Sequence, residues 1–156
     1  MNYKILTVTF AALSLFALNP THAAEGKVPA PLQKALNEYS IIQVALAADS
    51  LKGVAKASTA LAKTVQEDKT NLLPKDLEAQ ALALSKATDL KAARDTFKPL
   101  SATLINVLSA QSTKTGRYFK ASCPMAGASW IQTEKPIKNP YYGSSMLTCG
   151  TIDQEL

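Results

Sequence analysis

Residues 32–67 read LQKALNEYSIIQVALAADSLKGVAKASTALAKTVQE, and their reading decides the fold. The stretch holds no proline and a single glycine, Gly53. Leu32, Leu36, Tyr39, Ile42 and Leu46 recur at steps of three and four, followed by Leu51, Val54, Ala57, Leu61 and Val65. That spacing puts one apolar stripe along an α-helix. An unbroken helix of this length would run about 54 Å at ~1.5 Å per residue, so a kink or break is expected, with Gly53 marking it. Pro29 and Pro31 stand where proline is tolerated, at a helix start.

Downstream, 68–74 reads as a polar turn. A second helix is expected over 75–88, with Leu77, Ala81 and Leu84 facing inward. Asp89 is placed to N-cap a third, over 90–112, whose inward positions are Ala93, Phe97, Leu100, Leu104 and Val107 or Leu108. Pro99 lies inside that pattern and is expected to kink or divide it. The fold class is therefore mainly α: an antiparallel three- or four-helix bundle with a C-terminal irregular segment containing short β-strands. Asp49, near the apolar stripe, is read either as a buried acceptor for tail amides or as a solvated helix residue.

Upstream, residues 1–23 read as a secretory signal peptide: Lys4, an apolar stretch from Ile5 to Leu18, Pro20, and Thr21-His22-Ala23 before the cleavage point. The apolar stretch is shorter than a membrane span. The expected location is beyond the cytoplasmic membrane, with no stable membrane insertion after cleavage and residues 24–156 as one domain. His22 is the only histidine and falls in the segment to be removed. That leaves no imidazole for a Ser-His-Asp or Cys-His hydrolase, nor for His-ligated zinc, blue copper or haem. No S-x-x-K motif occurs at Ser101 or Ser122. No enzyme is expected. The formal net charge is +5, but basic and acidic residues alternate and form no run, so no nucleic-acid partner is expected.

The character changes at Ser112. Residues 113–156 carry Pro124, Pro136, Pro140 and most of the aromatics, among them Trp130, Tyr141 and Tyr142. These aromatics are read as the plug that seals the tail onto the helices. Short strands are expected at 117–119, 129–132 and 146–148. Beyond the expected signal peptide, every sulfur lies here, in Cys123-Pro124-Met125 and Met146-Leu147-Thr148-Cys149.

Two chemistries fit this set. Cys123 and Cys149 form a disulfide, since exported proteins live where disulfides persist; Met125 and Met146 are then core filler. Alternatively, both thiolates with one or both thioethers bind a soft ion such as Cu(I), which such ligands select over hard cations. Two thiolates without histidine are poor ligands for structural zinc.

The tail also resembles a known family. Cys123-Pro124-Met125-Ala126, Trp130, Ile137, Asn139-Pro140-Tyr141-Tyr142-Gly143, Met146-Leu147 and Cys149-Gly150 are similar to bacterial periplasmic domains of unknown function, the DUF3347 family. Arg94, Phe97, Leu100 and Ser101 resemble its Arg-x-x-Phe-x-x-Leu-Ser helix pattern. The resemblance implies a helical bundle closed by this tail in the periplasm. It also implies a heavy-metal efflux adaptor, or another envelope protein, as partner, and Cys123, Met125, Met146 and Cys149 as candidate copper ligands. The stretch Gly127-Ala128-Ser129 is shorter than the family's.

Overall fold

The computed structural model describes Met1, residues 27–111 and residues 115–156. The expected signal peptide, apart from Met1, lies outside the described residues, as does Ser112. Among the described residues, four helices are followed by three short strands: α1 Ala30–Ala47, α2 Val54–Glu67, α3 Lys75–Ser85, α4 Leu90–Ser109, β1 Phe119–Cys123, β2 Ala128–Gln132 and β3 Thr151–Glu155. The protein is mainly helical with a small antiparallel sheet. Among the described residues no helix is long and apolar enough to cross a membrane.

The long apolar stripe is divided, as its length demanded. α1 ends at Ala47, and the chain passes through a turn containing Asp49, at φ 53°, before α2 begins after Gly53. Asp49 is therefore a turn residue and not a helical one. α1 packs on α2, α2 on α3, α3 on α4, and α4 returns to α1. Leu32, Leu36, Tyr39, Ile42, Leu46, Leu61, Leu77, Ala81, Phe97, Leu100 and Leu104 are buried in one core, as their spacing predicted.

The connections are held by carboxylates. Asp68 accepts from the N–H groups of Thr70 and Leu73 and fixes the turn into α3. Asp89 accepts from Ala92 N at 2.8 Å, the predicted cap of α4. Pro99 neither divides nor ends α4. Pro99 is exposed, and so is Asp95, four residues back, whose carbonyl loses its helical donor. Water can take that donor's place, which keeps the cost of the proline low.

The tail forms a sheet of order β2-β1-β3, both pairs antiparallel. Phe119 faces Gln132 and Cys123 faces Ala128, while β3 pairs with β1 through an irregularity between Lys120 and Ala121. β2 packs against α4 and α1. Of the expected strands, 129–132 is present within β2 and 117–119 is displaced to Phe119–Cys123. Residues 146–148 are not a strand: Cys149 N donates to Met146 O, closing a turn after the short 3-10 helix Gly143–Ser145.

Candidate thiol centre and its helical supports

Trp130 and Tyr141 seal the cap against the helices. Trp130 is fully buried and its Nε1–H donates to Gln132 Oε1 at 2.8 Å. Phe97 stacks on Tyr39 at 5.0 Å between ring centroids, and Tyr141 bridges Phe97 and Trp130 at 5.8 and 6.0 Å. The aromatic plug read from the sequence is thus continuous from α1 through α4 into the cap.

Packing alone would leave the cap's irregular backbone unsatisfied, and helix side chains meet that need. Tyr39 Oη accepts from Ile131 N at 3.0 Å and lies 2.5 Å from Ser101 Oγ. Ser101 Oγ and Tyr141 Oη both donate to Ser129 O, at 3.0 and 2.7 Å. Burial pushes the Tyr39 and Tyr141 phenols above their ordinary range, so both stay neutral hydroxyls. Gln43 Nε2 donates to Lys138 O at 2.7 Å, and Lys98 Nζ to Ala126 O at 3.1 Å.

Arg94 ties three segments. Its Nε donates to Pro140 O, and its Nη2 to Leu46 O and Asp49 Oδ1. Asp49 Oδ2 in turn accepts from Ser144 N at 2.8 Å. Hydrogen bonds from Ser144 and then from Arg94 hold the Asp49 carboxyl down at about 2, from an ordinary 3.8. Asp49 does tie down a tail amide, although its side chain is 31% exposed rather than buried.

These supports place the two cysteines together. Cys123 ends β1, and Cys149 lies on the loop before β3. Their Sγ atoms are 2.7 Å apart. Asn139, wholly buried, clamps the second cysteine's loop: its Nδ2 donates to Cys149 O, and its backbone N–H to Leu147 O, both at 2.8 Å. The sequence marked Asn139 only as part of the resemblance.

The thiols are electrostatically unequal. Burial pushes the Cys123 thiol up. Hydrogen bonds from the Cys149 thiol, the Ala126 and Met125 backbone amides and the Asn139 side chain outweigh it and hold Cys123 below its ordinary value. The Cys149 thiol is pushed up, first by its bond to Cys123, then by burial.

The methionines are less committed. Met125 stands 64% exposed on the turn between β1 and β2. It lines a groove of about 450 Å³ with Lys91, Arg94 and Tyr142, whereas Cys123 lines another, of about 610 Å³, with Lys98 and Lys120. Met146 is half-buried where the 3-10 helix ends. Of the four candidate ligands, the structure brings the two cysteines into contact. Among the described residues no group of three or more histidine, cysteine or acidic side chains gathers as a metal site.

Fold and site together define a helical scaffold carrying a two-thiol centre in a C-terminal cap. The chain belongs to the family described as "Protein of unknown function (DUF3347)", whose match spans residues 35–116. The matched segment ends before β1, yet it contains Tyr39, Gln43, Asp49, Arg94, Lys98 and Ser101, the residues that grip the cap. No curated protein and no solved structure matches the chain.

Proposed function

We propose that this chain is a periplasmic binding protein whose functional centre is the Cys123–Cys149 pair. In the reduced state the pair takes up a soft ion, Cu(I), for sequestration or for hand-over to a heavy-metal efflux adaptor. The observation that carries this reading is the convergence of two sulfurs from separate segments to 2.7 Å. Thiolates select Cu(I) over hard cations. A pair without further strong ligands suits an ion content with low coordination better than tetrahedral zinc. Met125 and Met146 serve as weaker thioether ligands that move in on binding. The helices act as a scaffold: packing in chain order, with α4 closing on α1, supports an up-and-down antiparallel bundle.

Competition for Cu(I) against a chelator tests the reading. Cys123→Ser/Cys149→Ser should lose high-affinity binding, and Met125→Leu/Met146→Leu should weaken it moderately. Equal affinity in wild type and the double cysteine variant would refute it.

A second reading is favoured by the sulfur separation itself. Two sulfurs each about 2.3 Å from one ion at a tetrahedral angle stand roughly 3.8 Å apart, whereas 2.7 Å is a short approach from a bond of about 2.05 Å. On this reading Cys123–Cys149 is a disulfide staple of an envelope interaction module. The cysteines are 26 positions apart, so the closed loop would contribute about 3.5 kcal/mol in the chain-entropy model. A melting temperature unchanged by reductant would count against it.

A further inference from the structure

The two sulfurs are adjacent, but solvent does not reach them equally. Cys123 is 1% exposed and belongs to the hydrophobic core, behind the strand pairing of β1. Cys149 is partly exposed on its loop. Asn139 fixes the carbonyl of that loop, and Gly150 presses it against Ser122 and Trp130. Two large apolar side chains flank Cys149 in sequence and face solvent: Leu147, 37% exposed, and Ile152, 38% exposed. The Met125 and Ala126 amides of the turn after β1 face the buried sulfur.

Thiol–disulfide exchange needs the attacking sulfur to approach in line with the bond it breaks. In a bond between these cysteines, Cys149, partly exposed, is the sulfur an outside thiolate can reach, while Cys123 is 1% exposed. We infer that the pair is a directional thiol–disulfide exchange site, at which a dithiol reductase of the envelope attacks Cys149 Sγ and Cys123 leaves. The partner's thiolate forms a bond to Cys149 Sγ as the Cys149–Cys123 bond breaks. The electron pair goes to Cys123 Sγ, which takes up a proton. The partner's second thiolate then attacks the partner sulfur of the mixed disulfide. The partner is left with its own disulfide, and Cys149 is released and protonated. Two electrons and two protons pass from the partner's dithiol to this chain. Leu147 and Ile152 give the partner an apolar rim on which to dock beside the attacked sulfur.

The inference rests on the Cys123–Cys149 pair being the functional centre, and it couples that centre to redox supply: only the reduced pair offers thiolates to a soft ion. The test uses the full exported chain, oxidised in metal-free buffer and mixed with limiting reduced glutathione. After an acid quench, the mixed disulfide is located by peptide mass spectrometry. The glutathione adduct should lie on Cys149 in excess over Cys123 by about tenfold or more. An adduct mainly on Cys123, an even partition, or a failure of the oxidised chain to form the bond would overturn the proposal. Because no copper is present, the outcome is separate from that of the ion reading. An adduct on Cys149 beside an unaltered copper affinity in the cysteine variants would sink the ion reading and leave the exchange site standing.

Discussion

Gly150→Ala should damage the fold and the thiol centre together. Gly150 has φ 142°, and a Cβ there would lie 2.6 Å from Ser122 O and 2.8 Å from Trp130 Cη2. Neither neighbour can withdraw. Ser122 is paired on both sides, with Ser129 and Thr151, and the indole is fully buried and hydrogen-bonded through Nε1. A side chain held in a backbone region reserved for glycine costs about 1–3 kcal/mol, and overpacking costs about 1–3 kcal/mol more. The total of about 2–6 kcal/mol should appear in urea unfolding followed by fluorescence of Trp130, the chain's only tryptophan. Gly127→Ala provides the control. Gly127 has φ 57°, but its Cβ would meet nothing within 4 Å, so only the backbone term of about 1–2 kcal/mol remains. Gly150→Ala should also slow formation of the Cys123–Cys149 bond, because relief of the clash moves the residue next to Cys149. If Gly150→Ala is no more destabilising than Gly127→Ala, the close approach of this loop to β1 is wrong.

Tyr39→Phe keeps the ring stacked on Phe97 but strands the Ile131 amide in the core and takes one of its two partners from the Ser101 hydroxyl, which still donates to Ser129 O. It should cost about 1–3 kcal/mol in chemical denaturation, and a neutral result would show that these groups find other partners. Asp49 is held at about 2 in the folded chain against an ordinary 3.8. A depressed carboxyl stabilises the fold above its unfolded value and loses that contribution as pH falls through the folded one. Stability should therefore decline between roughly pH 4 and pH 2, and Asp49→Asn should flatten that part of the profile in acid titrations followed by fluorescence. An identical acid profile in the variant would assign the decline to other carboxyls.

The helical part was legible because one signal, apolar residues at steps of three and four, answers to one local geometry. Leu32 through Leu46 and Ala93 through Leu104 are buried where that spacing put them. Asp89 was legible for a similar reason, since a cap acts within three residues. The strand β3 was not: Thr151–Glu155 is exposed at every position and shows no apolar face, so only its pairing with β1 makes it a strand. Met146-Leu147-Thr148 carried apolar residues without the strand, because a turn bond from Cys149 to Met146 closes it. In the site, the meeting of Cys123 and Cys149 followed from there being only two cysteines. Asn139, Gln43 and Lys98 gave no such signal, because each acts on a carbonyl far along the chain or across the cap.

That long-range support implies that the cysteine chemistry can be disturbed from the helices. Arg94 lies in the family-matched segment and its side chain is only 16% exposed. It donates to Pro140 O, three residues before the 3-10 helix ahead of Cys149 begins, and to Leu46 O at the end of α1. Arg94→Ala removes both charged donors at once, and hydrogen bonds to a charged group are worth about 1.5–3 kcal/mol each. It also frees Asp49, which holds Ser144 N. The α4 core face, carried by Phe97, Leu100 and Leu104, is untouched, so the helices should stay folded while the 140–149 loop loosens. Hydrogen exchange should then show lost protection in that loop with little change in α4, and oxidation of the two thiols should slow with the cysteines unaltered. If thiol oxidation in Arg94→Ala keeps the wild-type rate, the cap holds its own cysteines in register and the helices contribute only a surface to lie on.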